Sequence, residues 1–568
     1  MFKQLIKKNK RLVLLLILLI FVLPSFASLL HSGYFSMQDD MQAFRILEMS
    51  KCLSDFQIPC RWIPDGGYGY GYPLFNFYAP SVYYIGSLIN LVGFQVIDSV
   101  KILFVLGFIV SFISMYLLVN RLFGKFPALV SAMLFTYAPF RAQEVYVRGA
   151  LSEFFAISLL PLPLLFSYDL IKKPNKRSFI FLSTSIFILL ITHNLVPLIF
   201  LPIFIVWIIY WILSLRKYRS FKPLIFSLVT GVALASFFVL PMVFENRYAH
   251  VDTILSGYFD YRRHFVSLKQ MFFSNVFGYG SSDLGESDDL AIYTGIIHWV
   301  TSFTALIVLF FWRKYEKNYL VLSSVLAVVT LFYLFLMHLK SSILWEIFPF
   351  LKWLQFPWRL LAGSILSTSI ISGMLVFIAG KFKKILAVII IALTFIIYGT
   401  FFHPKDWYLL NDNAKFSGLL WDKQLTISIF DYLPIFSKQP PDSKAPELPD
   451  IIMGEAKIIN YEKGSDWQRG TVLASTDSVI RLPIFYFPGM KVYVDNQESE
   501  FRYDDCSGQR VCLGQPSVSL TEGMHKISVG LYNTPVRFVG NMMTFAGFMI
   551  IAYFVIHKSK LKFLEFND

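Results

Sequence analysis

Residues 195–222 read LVPLIFLPIFIVWIIYWILSLRKYRSFK. About twenty apolar residues in a row, unbroken by charge, reach across a hydrocarbon core of about 30 Å as one helix. The run stops on Arg216, Lys217, Arg219 and Lys222, after which a second apolar stretch begins. An apolar span ending in a short basic cluster is the pattern of a membrane helix with its positive flank in the cytoplasm. The same unit recurs along the chain. Of the 568 residues, 56% are hydrophobic and 15% charged, against about a quarter charged in a soluble domain. The formal net charge of +14 comes in clusters between apolar runs. It makes no continuous basic face, which argues against nucleic acid as a partner.

The other clusters are Lys7-Lys8-Lys10-Arg11, Arg121/Lys125, Lys172-Lys173-Lys176-Arg177, Arg313-Lys314-Lys317, Lys381-Lys383-Lys384 and Lys558-Lys560-Lys562. Placing them all inside requires an even number of crossings between neighbours and predicts about twelve transmembrane helices. These fall roughly at 11–31, 97–121, 126–140, 150–171, 177–193, 195–215, 222–244, 292–312, 318–338, 357–380, 384–402 and 536–557. The expectation is an all-α polytopic protein of the inner (cytoplasmic) membrane, with both termini inside. Its first apolar run exceeds the usual signal-peptide core of about 7–15 residues, so it reads as a retained helix. Residues 79–94 (APSVYYIGSLINLVGF) would upset the count as a span. They read as a juxtamembrane helix in the outer interface, a depth that suits their tyrosines.

The outer side then receives loops 32–96, 245–291 and 339–356 and the long segment 403–535. Three regions follow: a transmembrane domain over 1–402, an extracytoplasmic antiparallel β domain over 403–535, and a last helix with its tail over 536–568. Alternation around Ile480-Arg481-Leu482, Val492-Tyr493-Val494 and Lys526–Leu531 marks the strands, and Asp495-Asn496 marks a turn. QPPDSKAPELP (439–449) reads as a linker. All four cysteines lie outside, as the close pairs Cys52/Cys60 and Cys506/Cys512. In an oxidising compartment these are candidate disulfides; the alternative is four unrelated thiols. Neither pair has histidines at metal-ligand spacing.

Chemistry-capable residues gather on the same side. Asp39 and Asp40 follow the first helix directly, ahead of an amphipathic stretch through Arg45 and Glu48. Adjacent carboxylates repel, which raises one pKa and suits general-base work. Taken alone, the pair is explained more simply by a helix N-cap followed by a first-turn acid. Then come IPCRW (58–62), with Arg61, and GGYGYGYPLFNFYAP (66–80), with Tyr72; these aromatics suit sugar stacking and interfacial anchoring alike. Arg141, Glu144, Arg148 and Glu153 sit near outer helix ends, as do His193-Asn194, Arg247, His338, Lys340 and Arg359. Basic residues on the side that usually avoids them suit an anionic ligand such as a lipid phosphate. Arg359, inside the membrane boundary, leads that set. Its alternatives are an ion pair with Glu153 or Glu144, or snorkelling to headgroups. For His193 and His338, a helix-end hydrogen bond is the simpler reading.

The order of acidic pair, amphipathic helix and proline-aromatic segment resembles the GT-C superfamily of membrane glycosyltransferases. Within it, the chain is most similar to bacterial multi-spanning proteins labelled 6-pyruvoyl-tetrahydropterin-synthase-related, although nothing in it resembles the soluble pterin enzyme. The likeness is carried by IPCRW with YGYGYPLFNFY, RGALSE (148–153), His193-Asn194 and LQFPWRLL (354–361). PGMKVYVDN and GMHKISVGLYNTPVRFVG look like the outer β domain of YfhO-type proteins.

The resemblance implies an inverting transferase that takes a polyprenyl-phosphate-linked sugar from the outer leaflet and passes it to a glycan, lipid or protein acceptor in cell-envelope synthesis. Asp39, with Asp40 beside it, is then the base. Arg359, Arg148, Arg141 and Lys340 hold the leaving phosphate, with Glu153, Arg247, His193, Arg61 and Tyr72 as further binding candidates. Some members of the superfamily use a divalent metal (Mg or Mn), which the second acid permits; no further ligand set is evident. The competing expectations are a transporter or flippase of lipid-linked glycans and a non-catalytic envelope assembly protein. Few charges at mid-membrane and no convincing internal repeat weigh against the first.

Overall fold

The computed structural model describes residues 19–273, 277–283, 289–311, 317–427 and 429–557. Most of the expected first helix lies outside the described residues, as do the clusters at 7–11, 313–314 and 558–562. Every other expected span holds a helix. Among the described residues eight helices are long and apolar enough to cross a membrane. Others are shorter than the sequence implied. Lys125–Tyr137 ends at Ala138, whose extended backbone precedes Pro139, and a second helix, Pro139–Tyr146, continues in a new direction. Proline disfavours helical geometry in the residue before it, which sets that break. Ser81–Leu91 has 11 residues, about 16 Å of helix, too short to cross.

Helix Leu361–Ile378 runs through the middle of the bundle; 94% of the most apolar window of Pro357–Ile378 is buried, against 17% for Pro535–Ile556. Its sequence, LAGSILSTSIISGMLVFI, explains the position. Small residues let neighbouring backbones approach, and hydroxyls such as those of Thr368 and Ser372 can bond to the preceding turn. A Cβ on Gly373 would meet the Pro127 carbonyl at 3.1 Å and crowd the Ser131 hydroxyl. Thr368 and Ser372 each donate to the carbonyl four residues back at 2.7 Å, and Ser372 meets Thr301 across the helix interface at 2.6 Å.

At one end of the bundle the long loops fold together. Strand β1 (Tyr34–Phe35) pairs antiparallel with β2 (Trp407–Tyr408), and Ser36 N–H donates to the Asp406 carbonyl at 3.0 Å. Residues 403–449 carry β2 and two short helices, Asp412–Lys415 and Gly418–Thr426, before the β sheets begin. These are β3 (Asp450–Met453), β4 (Ala456–Lys463), β5 (Trp467–Ala474), β6 (Ser478–Arg481), β7 (Met490–Val494), β8 (Gln497–Ser499), β9 (Ser517–Leu520) and β10 (Gly523–Leu531). They form antiparallel sheets of order β4-β5-β10-β7-β8 and β3-β6-β9. The β7–β8 hairpin turns on Asp495 and Asn496, both at positive φ, the geometry a two-residue hairpin needs and these residues tolerate. Cys52–Cys60 and Cys506–Cys512 are disulfide-bonded.

Candidate functional site

Asp39 and Asp40 sit in the turn before helix Gln42–Ser54, whose N-cap is Met41 and has no side-chain cap. The capping explanation therefore falls away. Asp39 Oδ2 accepts from Gln42 Nε2 at 2.8 Å and from Arg45 Nη1 at 3.0 Å. Asp40 Oδ2 is ion-paired with Lys415 at 2.5 Å. Asp39 and Asp40 side chains are 38% and 37% exposed, but Asp40 Oδ1 is buried with no hydrogen-bond partner among the described residues. Burial raises the Asp40 pKa, while Lys415 opposes the shift.

Main-chain bonds carry this turn to the second half of the site. Gln38 N–H donates to the Val147 carbonyl at 2.9 Å, and Asp39 N–H to that of Arg148 at 2.8 Å. Gly149, at φ +66°, makes room: a Cβ there would press on the Met37 side chain. The Arg148 guanidinium bridges Glu144 and Glu153, the latter at 3.0 Å, and lies 4.5 Å from the Trp358 ring centre. Glu153 also receives Arg359 Nε at 3.2 Å. Arg359 Nη1 donates to the Leu354 carbonyl and to Gln355 Oε1, at 2.8 and 2.7 Å. Two carboxylates and two guanidiniums thus share one buried cluster, and the ion pair foreseen as an alternative for Arg359 is present.

Arg359 nevertheless faces a cavity of about 400 Å³, lined also by Tyr78, Ser152, His193, Asn194 and Tyr432. Its Nη2 has no hydrogen-bond partner among the described residues. Two chains of contacts join the cavity wall to Asp39. Arg45 Nη1 donates to Tyr78 Oη at 3.2 Å as well as to Asp39. Ser152 Oγ, Tyr83 Oη and Gln42 connect in turn at 3.3 and 2.8 Å. His193 Nδ1 accepts from the amides of Leu195 and Val196 at 3.1 and 3.2 Å, so it caps the next helix while lining the cavity.

Other expected site residues lie elsewhere. Arg141 is fully buried, bonded to the Phe154 carbonyl and the Ser158 hydroxyl, and stacked on Phe154. Arg61 is buried against Asn76, Asn541 and the Phe237 carbonyl, and burial lowers its pKa to about 10. Tyr72 is a core residue paired through its backbone with Ile63. Arg247 is exposed and donates to Tyr248 Oη at 2.9 Å; Lys340 is exposed on a short 3₁₀ turn. Two site residues escaped the sequence reading. Arg45 stood in view as part of an amphipathic helix, six positions beyond Asp39. Lys415 lies 375 positions from Asp40, and nothing near it marks it.

The acid pair does not fit a divalent ion. Its carboxylates already hold Arg45 and Lys415, whose charges stand where the ion's would. Among the described residues no group of three or more His, Cys, Asp or Glu gathers.

A family model described as the 6-pyruvoyl-tetrahydropterin synthase related domain, membrane protein, matches residues 75–406. No curated protein matches. Among solved structures the chain is similar to ArnT from Cupriavidus metallidurans bound to undecaprenyl phosphate, at 13% identity and a TM-score of 0.37, over 65% of this chain and 60% of that one. Its apo state gives 14% and 0.38 over the same shares. The arabinofuranosyltransferase AftD from Mycobacteria gives 13% and 0.43, over 71% of this chain and 28% of that one. The chain thus spans less than two thirds of the length of each.

Proposed function

The chain belongs to the 6-pyruvoyl-tetrahydropterin synthase related family of membrane proteins, and from that premise we propose that it is an inverting glycosyltransferase acting at the outer face of the cytoplasmic membrane, using a polyprenyl-phosphate-linked sugar. The observation that carries the reading is the joining of two halves by backbone. The acid turn at 38–39 is hydrogen-bonded to residues 147–148, and Arg148 shares Glu153 with Arg359 at the cavity wall.

Asp39 is the base in this reading. Its Oδ2 is anchored by Gln42 and Arg45, while Asp40 has one oxygen buried and the other on Lys415. Asp39 takes the proton of the acceptor hydroxyl as that oxygen attacks the anomeric carbon. The bond to the phosphate breaks on the opposite face of the sugar, and charge grows on the departing phosphate. Arg359 Nη2 meets that charge from a guanidinium already held at Nε and Nη1, so little reorganisation is needed. Glu153 positions both arginines. No step runs through a metal.

The test is transfer from radiolabelled polyprenyl-phosphate sugars by purified protein in liposomes. The expected result is consumption of one donor, lost in Asp39→Asn while donor binding persists. Labelled lipid crossing the bilayer with no donor consumed, and indifferent to Asp39→Asn, makes the protein a transporter instead.

A further inference from the structure

A second cavity, of about 700 Å³, opens where the first loop, the linker and the β sheets meet. Its walls come from residues 51–70, 421–425, 444–447 and 463–484, far apart in sequence but pinned together. Ala445 N–H donates to the Tyr68 carbonyl at 3.0 Å, and Lys463 Nζ to that of Pro446 at 2.7 Å. Ser465 binds Asp55 Oδ2 through its amide and hydroxyl, at 2.7 and 2.9 Å. Lys51 is ion-paired with Asp65 and lies 3.0 Å from Oε1 of the fully buried Glu48. The chain holds this space open with bonds on every side.

Its lining has a definite character. Lys51, Lys444 and Lys463 are matched by Asp55, Asp65 and Glu447, so the cleft carries no net charge in a chain of formal charge +14. That balance gives no pull on a phosphate, but it supplies both donors and acceptors at close spacing. Trp421 and Tyr68 add half-buried aromatic surface. A pocket of mixed hydrogen-bonding groups and aromatic faces, within the usual ligand-pocket range of about 300–1,000 Å³, suits a molecule with hydroxyl edges and C–H faces.

We propose that this cleft binds an uncharged glycan chain, the acceptor of the transfer reaction. The proposal rests on the transferase reading above and adds the acceptor's chemical class. Its position fits. Trp421 packs on Phe44 with ring centres 5.8 Å apart, and Phe44 lies in the first turn of helix Gln42–Ser54, just beyond the acid turn. Lys51, in the last turn of that helix, reaches the cleft, about 14 Å along the axis from Gln42. A ligand seated in the cleft therefore reaches Asp39 only if it is several sugar units long.

The experiment uses the full chain in lipid nanodiscs and tryptophan-fluorescence titration. The probes are neutral gluco-, manno- and galacto-configured trisaccharides, each beside its 6-phosphate form. At least one neutral trisaccharide is expected to bind, its phosphate form no better. Trp421→Ala or Lys444→Glu should weaken binding by about tenfold, with Asp39→Asn leaving it intact. Saturation-transfer NMR replaces fluorescence for Trp421→Ala, and Lys444→Glu carries the test if that protein does not fold. The proposal is overturned if no neutral sugar binds folded wild type, if the phosphates are preferred, or if both substitutions leave binding unchanged. Donor consumption, measured separately, keeps the two ideas apart. Turnover without glycan binding sinks the acceptor cleft alone, whereas glycan binding without turnover on any donor sinks the transferase and leaves a glycan-binding cleft.

Discussion

Asp39 and Asp40 are neighbours in sequence with different surroundings. One is anchored by Gln42 and Arg45, the other by Lys415. Asp39→Asn should lower transfer by roughly 10²–10⁴-fold, the usual contribution of a general base, with donor affinity unchanged in a binding assay. Lys415→Met removes the cation from Asp40 and should cost roughly 1–3 kcal/mol, read as a lower melting temperature in detergent. Glu48 supplies a pH signature. Burial first, then Asp65, raises its pKa from 4.5 to about 8. Folding therefore binds a proton there, and the stability this contributes is full below about pH 4.5 and lost as pH rises through about 8. The melting temperature should fall by a few degrees between pH 5 and pH 8, and Glu48→Gln should flatten that slope. A slope unchanged by the substitution would falsify the assignment. The acid pair, Arg148, Glu153 and Arg359 were legible from sequence, because charge near an apolar boundary is conspicuous. Lys415 was not, since the contact that gives it meaning spans 375 positions. Arg61 and Arg141 drew notice for the same conspicuousness, yet each is bound into the packing.

Among elements, the central helix Leu361–Ile378 tolerates least. Gly373 lies against the Pro127 carbonyl and Ser131, so Gly373→Leu should force helices apart and cost roughly 1–3 kcal/mol, measurable as earlier thermal unfolding in nanodiscs. Gly380, with nothing within 4 Å of an added Cβ, makes no such contact, although its positive φ of 55° still carries a backbone cost. Helix positions followed from apolar runs and basic flanks, since both are local properties of the chain. Lengths did not follow so well, because breaks such as Ala138-Pro139 fall within continuous apolar sequence. The β strands were visible from alternation. Their division into a five-stranded and a three-stranded sheet depends on pairing between strands up to 63 positions apart, as Gly530 is from Trp467, which alternation does not specify.

At the scale of the whole molecule, a buried junction ties the last helix to the rest. Arg537 Nε meets Glu245 at 2.9 Å, Glu245 accepts from Asn76 at 2.8 Å, and Asn76 accepts from Arg61 at 3.0 Å. Arg537→Met leaves Glu245 charged and buried, and should cost roughly 3–5 kcal/mol. Arg537→Met with Glu245→Leu should recover much of that in a melting measurement. The β1–β2 pair acts over the same range, and it sets a timetable. Tyr34 leaves the ribosome about 370 residues before Tyr408, which at synthesis rates of about 5–20 residues per second means roughly 20–75 s of waiting. Throughout that interval the early loop has neither its partner strand nor Lys415. Any product cut short before residue 408 therefore carries a complete acid pair still tied to Gln42, Arg45 and the backbone of residues 147–148, but with neither strand β2 nor the cation that Lys415 places on Asp40.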